Sequence, residues 1–486
     1  MLGRANYKYV VTIVAVFSIF MELLDSTVVN VALPTIGRDY NVTSPSTIQW
    51  VVTGYLLSLA VFIPVSGWAG DRFGTKRVFM FALTVFTLAS LLCATSWSIE
   101  SLIAFRVLQG VGGGMLSPVA FATLWRAFPP EERSKAAGIM VIPAAGAPAS
   151  GPLIGGILLK YASWHWIFLV NIPIGVAALV ISGLYLREHR EPAPGRFDAV
   201  GFGLSAAGLA ALLYALAEAG RRGFDDPRVI GTGLPAIALL AAFVLVELRV
   251  KEPMLDLRIF RNSLFRSCNL AWLVTMFGFS STIFLLTLEL QAARGLSPLE
   301  SGLTTFPMAI AVMLIAQPAS RLYRGVGPRR MILTGLLLTA LSTFAFSAAN
   351  LDTSLWLIRG LMLIRGAGFG LVLVPLQAAT YARIEPRDTG RATALYNVTS
   401  QSASSLGVAV AATLLTSRLS HHGGILGSPA ARAATLESFQ EVFLVAALIS
   451  LAGAAVALLI HDRHAHVTMR VRRSPGAPVP DEPPAI

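Results

Sequence analysis

Fourteen apolar stretches, each close to the length a helix needs to cross a lipid bilayer, run through this 486-residue chain. About 20 apolar residues span the hydrocarbon core as a helix. Backbone groups in lipid must be paired within their own segment, so helices are the natural reading of such runs. Membrane β-strands would instead alternate in polarity over about 10 residues, and these stretches do not. Spans are expected near residues 10–33, 49–68, 78–96, 101–124, 136–159, 164–186, 199–218, 229–249, 267–291, 301–321, 331–349, 354–378, 394–416 and 440–460. Only 13% of the residues are charged, against about 25% in an ordinary soluble domain. The expected fold class is an all-α, multi-pass membrane protein.

The net charge of +12 would suit a nucleic-acid binder, but its distribution argues otherwise. With the N-terminus placed in the cytoplasm, most of the 38 Lys and Arg residues fall on the cytoplasmic side, which is the ordinary positive-inside bias. Arg4 and Lys8 precede the first span, and no small-residue cleavage site follows it, so that span reads as a retained anchor. An even number of spans returns the C-terminus to the cytoplasm. Cys93 and Cys268 both fall within spans and read as small packing residues rather than a disulfide framework.

Polar, proline-bearing stretches divide the chain six, two, six. A first bundle occupies 1–190, two inserted helices and their linkers 191–265, and a second bundle 266–462. A basic, then proline-rich and acidic tail over 463–486 is expected to be disordered. His461, His464 and His466 fit that solvated tail better than a metal site. Weak repetition supports the division. Asp71-Arg72-Phe73-Gly74-Thr75-Lys76-Arg77 precedes the third span, and Arg324-Gly325-Val326-Gly327-Pro328-Arg329-Arg330 precedes its counterpart in the second bundle. Gly110 to Gly114 likewise matches Gly366 to Gly370. Pseudo-symmetric halves around a central site are a recurrent transporter design.

Asp25 lies within the first span, where a carboxylate costs roughly 2.5–3.5 kcal/mol at the helix centre. Glu22 projects from nearly the same face, three residues earlier. A carboxyl pair withdrawn from water is suited to loading and releasing protons. Arg106 sits inside the fourth span and shares a face with Gln109, Gly110 and Gly113. Its permanent charge needs a carboxylate, carbonyls or water, so it is a candidate to respond to a nearby acid's protonation. The fifth span concentrates Pro148, Gly151, Pro152, Gly155 and Gly156; small residues allow close helix approach and proline favours a kink. Candidate substrate contacts are Asn30, Trp50, Tyr55, Gln109, Glu289 and Gln291, with Glu289 noted for its aromatic neighbours on one helix.

Taken together, these residues resemble the major facilitator superfamily, specifically its fourteen-helix drug:proton antiporters, over nearly the whole chain. Leu24-Asp25 through Pro34 is similar to that group's first-helix motif, and Leu102 to Gly114 to its proton-coupling helix. The run from Gly146 to Gly156 resembles the antiporter motif associated with export, although Ala147 replaces a usual glycine. Trp164 to Gly175 is typical of the group, with His165 at a usual arginine. Gly67 to Arg77 resembles the loop signature between the second and third helices. The resemblance implies that Gly67, Asp71, Arg72, Gly74, Lys76 and Arg77 form a latch on the cytoplasmic side. Arg324 stands where that loop has Asp71, so a matching second latch does not follow.

The resemblance implies two six-helix bundles plus two inserted helices in the cell (inner) membrane, and export of amphiphilic, in part cationic, compounds in exchange for protons, without a cofactor or metal. Expected partners are the small-molecule substrate, protons and the bilayer, with a periplasmic adaptor if the cell is Gram-negative, and no nucleic acid. A dedicated exporter of one antibiotic, siderophore or lipid is the alternative. A membrane enzyme is remote, because the chain offers no HExxH, GxSxG or in-membrane histidine cluster.

Overall fold

The computed structural model describes residues 4–42, 45–191, 196–250, 253, 255–385, 388–425 and 428–469. Every regular element among them is helical. The first half comprises α1 (Arg4–Asp39), α2 (Pro45–Phe73), α3 (Thr75–Ala94), α4 (Ile99–Ala127), α5 (Arg133–Tyr161), and the broken span α6 (His165–Leu169) with α7 (Asn171–Tyr185). The inserted pair is α8 (Ala199–Arg222) and α9 (Pro227–Arg249). The second half comprises α10 (Ser263–Ala292), α11 (Pro298–Thr305) with α12 (Pro307–Val326), α13 (Pro328–Ser347), α14 (Leu355–Thr380), α15 (Thr389–His422) and α16 (Arg432–Ala457), followed by the short α17 (Asp462–Met469).

Thirteen stretches among the described residues are long and apolar enough to cross a membrane. The fifth expected span is occupied by α5, a 29-residue helix some of whose side chains lie outside the described residues. Helices overrun the apolar segments at their ends. With 36 residues, α1 is about 54 Å long, well beyond a hydrocarbon core of about 30 Å.

Within the first half, α1 packs on α4, α5 and α7, and α4 packs against α2 and α3. The second half repeats this arrangement: α10 packs on α14, α15 and α16, and α14 packs against α12 and α13. Across the seam, α5 meets α12 and α14, while α15 meets α2 and α4. The inserted pair lies beside that seam: Phe202 of α8 packs on Phe62 at 6.3 Å, and Thr413 of α15 donates to the Ala219 carbonyl at 2.9 Å. Both described ends of the chain share one face, because Lys8 pairs with Glu132 and α17 packs on the short helix Pro130–Glu132.

One expectation fails here. Residues 463–469, assigned to a disordered tail, belong to α17. Asp462 accepts from the Arg329 backbone N–H at 2.9 Å, and Thr468 shares a hydrogen bond with buried Tyr323 at 2.6 Å, so the segment is tied down. Residues 470–486 lie outside the described residues.

Candidate functional site

Asp25 is 1% exposed, at the centre of a polar cluster in the first half. Arg106 of α4 donates through Nη1 to Asp25 Oδ2 at 2.6 Å. Asp25 Oδ1 accepts from Gln109 Nε2 at 3.1 Å and from Asn171 Nδ2 at 2.9 Å. The guanidinium also donates to Gln109 Oε1 at 2.7 Å and to the Val51 carbonyl at 3.1 Å, and it lies 4.1 Å from the Tyr55 ring centroid. Asn171 further contacts Ser90 Oγ at 3.1 Å. Three helices, α1, α4 and α7, therefore meet on one carboxylate, with α2 and α3 in contact through Arg106 and Asn171. A buried pair needs good geometry and further hydrogen bonds to offset desolvation; most of the cluster's polar atoms have them, while Arg106 Nη2 and Asn171 Oδ1 are buried without a hydrogen-bond partner among the described residues. The helical face expected from the spacing of Arg106 and Gln109 is the one the structure uses.

Glu22 faces elsewhere. It lines a cavity of about 450 Å³ between the two halves, and its Oε2 accepts from Ser117 of α4 at 2.5 Å. The opposite wall carries Trp272, Phe279 and Phe369, with Gln377, Asn397, Ser400 and Gln401 as polar groups. Apolar and aromatic walls with a few directed polar groups are what an amphiphile needs. Asp25 is not among the lining residues. One helix thus presents one acid to the cavity and hides the next, one turn on, behind Tyr55, which both lines the cavity and stacks on Arg106.

Glycines set the distances in this region. A Cβ on Gly110 or Gly114 would strike the backbone of α2 at Tyr55 or Leu59, and one on Gly112 would strike α3 at Ala82. In α5, Gly151 packs on Thr27 and Gly155 on Val31, both on α1. Pro148 lines the cavity, Gly156 faces open space, and the side chain of Pro152 lies outside the described residues. The glycine run is therefore a seam between α5 and the acid-bearing helix.

At the face carrying the chain ends, Asp71 bonds Arg126 at 3.2 Å, and Gly67 meets Gly390 of α15, whose carbonyl oxygen would stand 3.1 Å from an added Cβ. Gly74 has φ +100°, so it occupies a conformation other residues adopt only with strain. Beside it Glu188 accepts from the Lys76 backbone N–H at 3.0 Å, while Lys76 Nζ donates to the Gly183 carbonyl at 2.7 Å and Arg77 stands 3.7 Å from Glu188. Arg72 is exposed. The second half repeats the turn: Gly327 has φ +84° and Asp462 takes the place of Glu188. Arg324 lies elsewhere, donating across the seam to the Glu131 carbonyl at 3.3 Å. Arg133 of α5 reaches the Tyr381 carbonyl of the other half, and Trp125 stacks on Tyr381 at 5.3 Å.

Several candidate substrate contacts land away from the cavity. Glu289 pairs with Arg294 at 2.9 Å, and Arg294 also ties the carbonyls of Thr353 and Asn350. The face of α10 that lines the cavity runs through Trp272, Met276, Phe279 and Ile283, a stripe that helical periodicity continues at 286 and 290, not at 289. Gln291 sits at the same end of that helix. Asn30 is exposed and bonds the Ser26 carbonyl at 3.0 Å, and Trp50 stacks on Tyr214 of α8 at 6.0 Å. Gln109 belongs to the Asp25 cluster, which leaves Tyr55 as the candidate that lines the cavity. Sequence reasoning missed Asn171, Ser90 and Ser117 as site residues. A polar side chain opening a membrane helix was the available signal for Asn171.

A two-bundle helical membrane protein with a seam cavity, a sealed charge pair beside it and a repeated glycine turn in each half defines the class of secondary transporters. Residues 15–408 match the Major Facilitator Superfamily, and the chain belongs to that family. It is 37% identical over 412 residues to a "Multidrug resistance protein B homolog" of Mycobacterium tuberculosis, covering 84% of this chain and 76% of the relative. It is 33% identical to the "Tetracenomycin C resistance and export protein" of Streptomyces glaucescens, covering 82% and 74%. Among solved structures, the proton:xylose symporter XylE matches with TM-score 0.63 at 13% identity, covering 92% of this chain and 95% of that one. The human organic anion transporter MFSD10 matches with TM-score 0.62 at 16% identity, covering 93% and 100%. At those identities the two structures speak for the fold alone.

Proposed function

We propose that this chain is a proton-coupled efflux transporter for amphiphilic compounds, one of the superfamily's fourteen-helix drug:proton antiporters, resident in the cell membrane with both termini cytoplasmic. The observation that carries the reading is the division of labour on α1: Asp25 is buried against Arg106, while Glu22 faces the cavity. The names of the relatives, multidrug resistance and tetracenomycin C export, support the direction of transport and the type of cargo.

In this mechanism the cavity opens alternately to the two sides. Protonation of Asp25 from outside loosens its hold on Arg106 and favours the inward-facing state. Release of that proton to the cytoplasm restores the pair and favours return with drug bound. Glu22 and Ser117 offer a cationic or hydrogen-bonding substrate its polar anchor, and the aromatic wall takes the apolar body. Asp71, Arg126, Gly67 and the turn at Gly74 hold the cytoplasmic face shut in one state, together with Arg133 and Arg324 from across the seam. The 450 Å³ cavity, walled by aromatics, favours a broad range of amphiphiles over one small metabolite.

The test is accumulation of a cationic dye in energised everted vesicles, with and without an agent that collapses the proton gradient. Gradient-dependent accumulation supports the reading. Accumulation indifferent to the gradient overturns proton coupling.

A further inference from the structure

The second half buries a guanidinium that the transport reading does not use. Arg365 of α14 is 2% exposed. Its Nη1 donates to Thr343 Oγ1 at 2.5 Å and its Nη2 to the Gly278 carbonyl at 3.2 Å. Its Nε has no hydrogen-bond partner among the described residues. Both of these hydrogen-bond acceptors are neutral, whereas Arg106 in the first half faces a carboxylate. A permanent cation in a low-dielectric interior with only neutral partners is an uncompensated charge.

The internal repeat says what is missing. Gly110 packs on the carbonyl of Tyr55 as Gly366 packs on that of Met308, and Gly112 packs on Ala82 as Gly368 packs on Gly335. That register sets Arg365 at the place of Gln109, and Thr343 at the place of Ser90. In the first half, Gln109 donates to the Asp25 carboxylate directly, and Ser90 contacts Asn171, which also donates to it. In the second half, α10 brings Gly278 and Thr275 to this region and neither is acidic. The space is instead a small cavity of about 10 Å³, lined in part by Arg365, Thr275, Thr339 and Ser450, with Phe279 and Phe369 shared with the large cavity. This is about the room one water-sized ligand needs. The three hydroxyls now donate to carbonyls of their own helices, and each would exchange that bond for one to a ligand in the cavity.

We propose that this cavity binds one small inorganic anion, a halide, as the mobile counterpart of the carboxylate built into the first half. Arg365 supplies the charge and Nε–H, and Thr339, Thr275 and Ser450 supply hydroxyl donors. The anion neutralises the second bundle's core and so fixes the packing of α14 against α10 and α13, without taking part in proton exchange at Asp25.

The purified full-length protein is melted in chloride or bromide, and in gluconate at equal ionic strength, with no substrate present. The melting temperature is expected to rise saturably with halide and to stay flat in gluconate. Arg365→Met abolishes the halide response, and Arg365→Lys keeps a weakened one. Thr339→Val, which preserves shape at a site far from the charge pair, raises the half-saturating halide concentration about tenfold, the loss of one hydrogen bond to a charge. Identical melting in chloride and gluconate means the site holds water only and overturns the proposal, as does a halide response unchanged in both Arg365→Met and Thr339→Val. A response to a carboxylated dye in gluconate, with none to chloride, would assign the guanidinium to a transported anion and overturn it too.

Discussion

Replacing Asp25 by asparagine keeps the shape of the side chain and one acceptor but removes the charge facing Arg106. The carboxylate accepts three hydrogen bonds, from Arg106 at 2.6 Å, Asn171 at 2.9 Å and Gln109 at 3.1 Å. In the variant the guanidinium keeps only neutral partners: Gln109 Oε1, the Val51 carbonyl and the Tyr55 ring. Breaking a buried pair outright costs about 3–5 kcal/mol. The asparagine carbonyl retains a hydrogen bond, so the stability loss should fall at or below the lower end. The transport defect should be larger. For a neutral substrate exchanged for one proton, a potential of 100 mV supplies about 2.3 kcal/mol and one pH unit about 1.36 kcal/mol. Together these sustain an accumulation ratio of about 500-fold at 1.36 kcal/mol per decade. A neutral residue at position 25 carries no proton, so the ratio should fall to about one while downhill equilibration of the same substrate continues. Everted vesicles measure the first, and counterflow from preloaded vesicles the second. Uphill accumulation in Asp25→Asn that still collapses with the proton gradient would refute the assignment. For a monocation exchanged for one proton the potential drops out, so wild-type accumulation should follow the pH difference alone.

Glu22→Gln should weaken binding of cationic substrates about tenfold or more, the worth of a charge-assisted hydrogen bond, and leave neutral ones little changed; competition binding with a matched cationic and neutral dye pair reads this out. Gly67→Leu should disfavour closure of the face carrying the chain ends, because even a Cβ there stands 3.1 Å from the Gly390 carbonyl oxygen. A cysteine introduced at cavity residue Ser400 should then react faster with a thiol reagent added from that side. Glu188→Ala and Asp462→Ala each remove a side-chain acceptor from the start of a helix, a loss of about 1 kcal/mol. The two lie in different halves, so their effects on thermal stability should add.

The spans were legible because apolarity over some 20 residues is a local property, whereas helix ends depend on what the polar flanks meet. That is why α1 and α15 run to 36 and 34 residues. The cost of burying charge made Asp25 and Arg106 conspicuous, and the structure joins them. Asn171 was hidden because a single amide at a helix start carries no such penalty, and its value comes from meeting Ser90 and Asp25 on other helices. Glu289 misled for the converse reason. An acid and aromatics on one helix share a sequence window, but only the face through Trp272 and Phe279 sees the cavity. The short α17 looked like tail because its ties, Tyr323 with Thr468 and Arg329 with Asp462, are all to distant residues.

The separation of the two acids has a consequence for coupling. If proton and drug competed for one carboxylate, occupancy alone would link them. Here Asp25 sits behind Tyr55, whose ring covers Arg106 on one side and lines the cavity on the other, so under the proposed mechanism the link would run through α1 and this ring. The Tyr55 hydroxyl is buried without a hydrogen-bond partner among the described residues, so the ring rather than the hydroxyl should matter. Tyr55→Phe is therefore expected to keep coupled export. Tyr55→Ala removes the partition, admits cavity water to the charge pair and should let protons pass without drug. The measurement is decay of an imposed pH difference in proteoliposomes free of substrate. Faster decay in Tyr55→Ala, with Tyr55→Phe matching wild type, fits a ring that seals the proton site. Equal decay in all three would mean that the barrier lies elsewhere, and the coupling route through Tyr55 would fall.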